Sequence, residues 1–290
     1  MASSRDAIAG SISPAAPARV KPRPALFRAL GRREPPAVVE IEGEAFHCHE
    51  VLKHDSWAAS GIYASATRQA FCKFNREQRV GIVPMRWLGR LLASREQGFH
   101  DRLRDVEGIP RSLGPVRSGG SVLPNAVARE FIAGHALVEG ERVADDFFPR
   151  FRRMLAEIHS RGVAHVDLHK RENILVDDAG RPHLIDFQIS FSLPRRRSVA
   201  TALFGWLLTV LQRSDDYHLL KHELKSRPDL ARQRGVDIDR ARPWWIRAHR
   251  AVAVPFRTCR RQLLVWLGIR SKTGHAYSEA FPEIAHRRAA

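Results

Sequence analysis

Residues 164–190 read AHVDLHKRENILVDDAGRPHLIDFQIS, and this stretch decides how the rest of the chain is interpreted. Asp167 is followed six residues later by Asn173, and Asp186 comes thirteen residues after that. Between Asn173 and Asp186 lie two apolar runs that flank an Ala-Gly turn, a pattern typical of a β-hairpin. Because the two strands of a hairpin begin and end side by side, we expect Asn173 and Asp186 to meet at its open end.

The three polar residues suit the chemistry of phosphoryl transfer. Asn173 and Asp186 carry the oxygen atoms that Mg²⁺ prefers as ligands. Asp167 lies in the loop between a predicted helix and the hairpin, where a carboxylate could orient an attacking hydroxyl group. Each residue alone has an ordinary explanation as a helix cap or a turn former. Together and in this order they predict a site with Asp167 as the catalytic residue and Asn173 and Asp186 as metal ligands.

The N-terminal part supplies candidates for holding the phosphates. Residues 45–76 alternate as three short antiparallel strands, EVLKH, GIYAS and RQAFCKFNR, and a helical pattern follows from Pro84. Lys73, on the third strand, is the predicted phosphate-binding lysine. Glu96 lies on the apolar stripe of the helix, where a buried carboxylate needs a cationic partner. We therefore predict that Glu96 pairs with Lys73.

Other residues compete for these two roles. Lys53 and Arg68 are alternative cations on the predicted strands, and Glu107 is an alternative carboxylate near the end of the helix. The sequence favours Glu96 over Glu107, because Glu107 precedes the chain-breaking GIP and is poorly placed for a buried pair.

This arrangement resembles the catalytic core of protein-kinase-like phosphotransferases. HVDLHKREN is similar to their catalytic loop, and IDFQ is similar to their metal-binding DFG motif. The order also matches: a strand lysine, a helix glutamate, a catalytic aspartate, a metal-binding asparagine and a metal-binding aspartate. The resemblance covers about residues 45–225 and implies ATP and Mg²⁺ as cofactors.

Several departures distinguish the chain from ordinary protein kinases. The catalytic loop is one residue longer than the family pattern, Val166 replaces the arginine of HRD, and Gln188 replaces the glycine of DFG. The glycine-rich phosphate loop is reduced to HDSWAASG, in which Gly61 is the remaining candidate. No APE motif follows. These departures resemble the small bacterial branch that includes lipopolysaccharide core sugar kinases and atypical kinases.

The resemblance implies an α+β, protein-kinase-like fold of two lobes. We expect a disordered arm rich in Ala, Pro and Arg over residues 1–36 and an N-terminal nucleotide lobe over residues 37–133. A mainly helical catalytic lobe should follow over residues 134–240, and a basic helical tail over residues 241–290.

The expected activity is phosphate transfer from ATP to a hydroxyl group. The acceptor implied by the resemblance is a sugar of lipopolysaccharide or of another membrane glycolipid. Transfer to a protein serine or threonine, as in an atypical bacterial kinase, is the first alternative. A pseudokinase that acts as an interaction module is the second, because Gln188 and the poor phosphate loop weaken the case for catalysis.

The charge is uneven and points to an anionic partner. The net charge is +17, and residues 191–290 hold 20 basic and 8 acidic residues. RTCRRQLLVWLGIRSK, residues 257–272, fits either an interfacial helix on an anionic membrane or a packed terminal helix. The excess charge also fits a solvated basic surface. No motif of the usual RNA-binding modules occurs, so we expect no nucleic-acid partner.

The sequence predicts a cytoplasmic protein, peripheral at the inner membrane face. Its three cysteines are far apart and form no CxxC motif, which favours neither a zinc site nor a disulfide framework. No signal peptide is visible, and the longest apolar run, residues 199–211, is too short to span a bilayer.

Overall fold

The computed structural model describes residues 24–193 and 199–266, which combine antiparallel sheet with helices. The α+β class is confirmed. In chain order the strands are β1 Val38–Ile41, β2 Glu44–His54, β3 Ala58–Ala64, β4 Gln69–Asn75, β5 Arg117–Ser118, β6 Ser121–Val122, β7 Ala126–Glu130, β8 Gly134–Ala136, β9 Val163–Ala164, β10 Ile174–Asp177, β11 Pro182–Leu184 and β12 Phe191–Ser192. The helices are α1 Arg86–Arg102, α2 Phe147–Ser160, α3 Val199–Ser226, α4 Pro228–Arg234 and α5 Trp244–Trp266.

The N-terminal half is built on one antiparallel sheet of seven strands, in the order β6-β5-β1-β2-β3-β4-β7. The three strands predicted for residues 45–76 are confirmed as β2, β3 and β4, and β1 is an additional strand. Helix α1 packs against β4 and β7. Since Lys73 lies on β4 and Glu96 on α1, this packing brings the two elements of the predicted pair together.

The second half packs helices against a smaller sheet. Helix α2 repeats apolar residues at helical spacing, and Phe147, Phe151 and Leu155 lie in one buried cluster with Ile174 and Leu184 of the hairpin strands. Strands β8, β10 and β11 form a three-stranded sheet, and β9 pairs with β12. This core fixes the β10–β11 hairpin and the loop that precedes it.

Residues 24–36 pack against the sheet, so the arm predicted to be disordered over residues 1–36 is wrong in this part. Ala29 is buried and its N–H donates to Asp55 O at 2.6 Å. The Leu30 N–H donates to His54 Nε2 at 3.2 Å. Burial of these side chains stabilises a segment whose composition alone favoured disorder. Residues 1–23 lie outside the described residues.

The sequence after Pro194 predicts Arg-rich helices with breaks at Pro228, Pro243 and Pro255, and two of these three breaks are confirmed. Pro228 is the first residue of α4, and Pro243 immediately precedes α5. The break predicted at Pro255 is wrong, because this proline lies inside α5, where it removes one backbone hydrogen-bond donor. None of the helices in the described part of the chain combines the length and apolar character needed to cross a bilayer. Residues 257–266 of the basic strip predicted at residues 257–272 belong to α5, whereas residues 267–272 and the side chains of the arginines in the strip lie outside the described residues.

Candidate active site

Lys73, Glu96 and Asp186 meet in one cluster. Lys73 Nζ lies 3.0 Å from Glu96 Oε2 and 2.8 Å from Asp186 Oδ1. The Lys73 and Glu96 side chains are buried, whereas the Asp186 side chain retains 32% exposure. The predicted pairing of Lys73 with Glu96 is confirmed, and the lysine also reaches the predicted metal ligand.

The charged groups in this cluster shift one another's pKa values. Burial alone would raise the pKa of Asp186, but the charge of Lys73 and its hydrogen bond lower that pKa to about 2. Burial would lower the pKa of Lys73, and the charges of Asp186 and Glu96 raise it instead. Burial raises the pKa of Glu96 against the opposing effect of Lys73. Lys73 and Asp186 are therefore both charged at neutral pH.

The competing residues lie elsewhere. Lys53 Nζ pairs with Asp55 Oδ2 at 2.6 Å, in the turn between β2 and β3. Arg68 pairs with Glu42 and Glu44 at the far end of the β3–β4 hairpin. The Glu107 side chain is 87% exposed and lies 3.7 Å from Arg150. None of the three contacts the Lys73 cluster.

Asp167 lies in a buried position with two basic neighbours. Its side chain is 5% exposed, and its two carboxylate oxygens have different partners. Lys170 Nζ lies 2.6 Å from Oδ2, and His169 Nδ1 lies 3.2 Å from Oδ1. The basic side chains are about half exposed, so they cover the carboxylate from the solvent side.

Asn173 links Asp167 to the hairpin. Its amide nitrogen donates to Asp167 O at 3.1 Å, which fixes the orientation of the amide group. The Ile185 N–H donates to Asn173 O at 3.0 Å, and Ile174 pairs with Leu184 across the hairpin. Asn173 and Asp186 therefore lie at the same end of β10–β11, as the sequence predicts.

A buried carboxylate that sequence analysis missed holds the backbone before Asp167. Val166 has φ 70°, a conformation that is strained for a β-branched residue. Asp215 of α3 is fully buried, and its oxygens accept the N–H of His165 at 2.7 Å and of Val166 at 3.0 Å. These two hydrogen bonds stabilise the strained turn. The sequence signal was weak, because Asp215 lies in a helix about fifty residues away.

Phe187 connects the hairpin to both halves of the molecule. Its ring makes edge-to-face contacts with His165 at 4.9 Å and with His100 of α1 at 5.5 Å between ring centroids. His165 Nε2 also donates to Ile185 O at 3.0 Å. Burial lowers the pKa of His100 to about 4, so its ring is neutral at physiological pH. A continuous row of rings thus runs from α1 to the loop that carries Asp167.

Gly61 occupies a strand and not a turn. It lies within β3, between Val51 of β2 and Cys72 of β4. A Cβ atom at this position would lie 2.6 Å from Glu50 O, so the close approach of β2 requires a glycine. This packing requirement accounts for the residue independently of any nucleotide, and its predicted contact with a phosphate stays a prediction.

The turn between β2 and β3 is closed by its own carboxylate. Asp55 Oδ1 accepts the N–H groups of Trp57 at 2.7 Å and Ala58 at 2.9 Å. Backbone N–H groups in such a turn would otherwise be free to bind phosphate oxygens. Residues 24–36 hold the same turn from outside, since Ser56 Oγ donates to Phe27 O at 3.2 Å. The turn is therefore fixed in shape and carries an internal anion.

The site offers oxygen ligands to a metal ion. Within residues 24–193 and 199–266, no group of three or more His, Cys, Asp or Glu side chains could hold one. Mg²⁺ needs fewer protein ligands, because it keeps several waters and is bound jointly by substrate phosphates. The partly exposed Asp186 carboxylate and the oriented Asn173 amide fit that smaller requirement.

Comparison with known proteins does not assign a family to the chain. Neither a family model nor a curated protein matches it. The functional interpretation therefore depends on the contacts described above.

Proposed function

We propose that the chain is an ATP- and Mg²⁺-dependent phosphotransferase that acts on a hydroxyl group and has a protein-kinase-like fold of two lobes. The observation that supports this most strongly is the contact of Lys73 with both Glu96 and Asp186. Holding phosphates beside a metal ion requires a lysine that a buried glutamate positions and that reaches a partly exposed aspartate.

The proposed lobes follow from the distribution of the elements. The seven-stranded sheet with α1 forms the nucleotide lobe, and α2, α3 and the β10–β11 hairpin form the catalytic lobe. Lys73 and Glu96 come from the first lobe and Asp186 from the second, so the contact between Lys73 and Asp186 crosses the proposed cleft.

Each residue has a distinct part in the mechanism. Lys73 would bind the phosphates of ATP, and Glu96 would hold Lys73 in place. Asp186 and Asn173 would hold Mg²⁺, which when bound neutralises charge on the phosphates. Lys73 already pairs with the Asp186 carboxylate, so a bound Mg²⁺ ion would have to share that carboxylate with Lys73 or displace the lysine from it.

Asp167 would accept a hydrogen bond from the acceptor hydroxyl and orient it for attack. Its 2.6 Å contact with Lys170 places a positive charge beside the reacting group. That charge can stabilise the transferring phosphoryl group, provided that Lys170 turns from the carboxylate toward it. The acceptor would therefore enter from the side covered by His169 and Lys170.

The acceptor that we propose is a sugar of lipopolysaccharide or of another membrane glycolipid. Support comes from the resemblance of the catalytic loop and from the net charge of +17, which favours an anionic substrate surface. A cytoplasmic protein bound peripherally at the inner membrane face would reach such an acceptor. A protein serine or threonine is the alternative acceptor.

A pseudokinase is a second candidate, and one observation favours it. Asp55 already occupies two N–H groups of the turn that would cover the phosphates, and its negative charge would repel them. An interaction module would nevertheless have no need of the Lys73 contact with both carboxylates. Nucleotide binding distinguishes the two candidates directly.

The test is Mg²⁺-dependent binding of ATP, measured by isothermal titration calorimetry. The wild type should bind ATP more tightly with Mg²⁺ than with EDTA, and Asp186→Asn should remove this difference. Asp178→Asn is the matched control, because Asp178 is an exposed aspartate in the turn of the same hairpin. Absence of ATP binding by the wild type would reject the phosphotransferase and leave the interaction module.

A further inference from the structure

A short aliphatic turn projects from the molecule ahead of α1. The backbones of Val80 and Val83 are joined by two hydrogen bonds of 3.0 and 3.1 Å, and Gly81 has φ 57°. This tight turn places Ile82 at its tip with 87% exposure, and both valines are also exposed. Three exposed aliphatic side chains in one four-residue turn are costly in water and are typical of a surface that another molecule covers.

The outer face of α1 continues this apolar surface. Trp87 and Leu91 are four residues apart on the helix and are 59% and 47% exposed. The opposite face of α1 packs against β4 and β7 and carries the buried Glu96. Trp87 and Leu91 therefore add exposed apolar area on the side of α1 that faces away from the sheet.

Arginines surround the apolar residues. Between residues 79 and 95 the chain contains Arg79, Arg86, Arg90 and Arg95 and no acidic residue. All four arginines are exposed. Aliphatic and Trp side chains bordered by arginines are the combination that binds at the headgroup boundary of an anionic membrane. We name residues 79–95 the arginine–aliphatic surface.

We propose that the arginine–aliphatic surface docks on an anionic phospholipid bilayer, with Ile82 inserted at the headgroup boundary. A second copy of the chain is a poorer occupant, because two such surfaces would oppose arginine to arginine. Nucleic acid would pair with the arginines but offers nothing to bury the aliphatic tip, since base stacking uses aromatic rings. A bilayer satisfies both features.

Docking here would bring the segment after Asp186 close to the membrane. Arg95 donates to Ser190 O at 2.7 Å, which ties the surface to residues 188–190. Ile189 in this segment is 46% exposed. The surface therefore adjoins the edge of the candidate site, so a lipid-linked acceptor would need to travel only a short distance. Docking itself requires no catalysis and is independent of the proposed phosphotransfer.

Co-sedimentation of the full chain with vesicles tests the proposal. The vesicles are phosphatidylcholine alone or mixed with phosphatidylglycerol, at low and at high sodium chloride. The wild type should bind the anionic vesicles at low salt, and Ile82→Asp/Trp87→Ala should weaken binding by at least about tenfold. Arg86→Gln and Arg90→Gln should each weaken it by about fivefold and reduce its dependence on salt.

The control variant also changes two exposed apolar residues, but both lie far from the arginine–aliphatic surface. Val122 at the distant edge of the sheet and Trp244 in α5 are 45% and 69% exposed, and Val122→Asp/Trp244→Ala should bind as the wild type does. Circular dichroism checks that each variant is folded. Asp167→Asn should also bind normally, which separates docking from phosphotransfer.

Two results would overturn the proposal. Equal binding by the wild type and Ile82→Asp/Trp87→Ala would show that other residues, such as the basic tail, carry the membrane contact. Failure of the wild type to bind anionic vesicles even at low salt would show that the surface is not a membrane contact.

Discussion

Lys73→Met removes the cation that lies within ion-pair distance of both Glu96 and Asp186. Methionine keeps similar length without the charge, so the main loss is electrostatic. Breaking a buried ion pair from one side costs about 3–5 kcal/mol, because the remaining charge is left without a partner. Glu96 is buried and should account for most of this cost, whereas Asp186 is partly exposed and can be solvated. We expect a loss of about 3 kcal/mol in the free energy of unfolding at pH 7.

The loss should depend on pH in a defined direction. Burial raises the pKa of Glu96 in the folded wild type, and removal of Lys73 raises it further. A folded state that binds this proton more tightly loses stability as pH rises from the unfolded pKa, about 4.5, through the folded pKa. Lys73→Met should therefore be closer to the wild type in stability near pH 5 than near pH 8.

Urea denaturation followed by circular dichroism measures these differences. Lys73→Met/Glu96→Gln should recover at least half of the lost stability, because the buried charge has been removed with its partner. A loss below about 1 kcal/mol that is the same at all pH values would refute the interpretation of the pair. Simple additivity of the two single substitutions would refute it as well.

Three further predictions concern the loop and the tail. Asp167→Ala should reduce phosphotransfer by at least about 10²-fold while ATP affinity in calorimetry stays within twofold, since the residue orients the acceptor and holds no metal; a parallel loss of ATP affinity would contradict that role. Asp215→Ala should lower the free energy of unfolding by about 1–3 kcal/mol in urea denaturation, because two buried N–H groups lose their acceptor. An unchanged urea midpoint of unfolding would show that the strained turn does not depend on these hydrogen bonds. Replacing the tail arginines Arg257, Arg260 and Arg261 with glutamine should weaken sedimentation with anionic vesicles at low salt but not at high salt. If the variant and the wild type bind these vesicles equally at low salt, the tail arginines are solvated and do not contact the membrane.

Local patterns predicted the parts of the site that depend on neighbouring residues in the sequence. The β10–β11 hairpin follows from two apolar runs and a glycine turn, and its open end joins Asn173 to Asp186. Glu96 was identified because a carboxylate on an apolar stripe needs a partner, and Lys73 lies on the strand that this helix covers. These inferences depend on the spacing of residues in the sequence, because spacing within a regular helix or strand fixes the face on which each side chain lies.

Contacts over long distances in the chain were not predictable in the same way. Asp215 supports Val166 through two backbone hydrogen bonds, but helix periodicity does not distinguish it from a solvated aspartate. Residues 24–36 have the composition of a disordered segment, and contacts with the sheet, such as those of Ala29 with Asp55 and Leu30 with His54, order them. Pro255 remains inside α5 although a proline usually ends a helix. For Asp215 and for residues 24–36, tertiary contacts decide what the local sequence leaves open, whereas nothing in the structure explains the position of Pro255.

The most direct measurement of the central claim is transfer of labelled phosphate from γ-labelled ATP to candidate glycolipid, peptide and small-molecule acceptors. We predict transfer to a hydroxyl that requires Mg²⁺, is greatest with the glycolipid, and is lost in Asp167→Ala and Asp186→Asn but kept in Asp178→Asn. Transfer that persists undiminished in Asp167→Ala or Asp186→Asn would contradict the account. So would a folded wild type that binds ATP with Mg²⁺ and transfers no phosphate to any acceptor class.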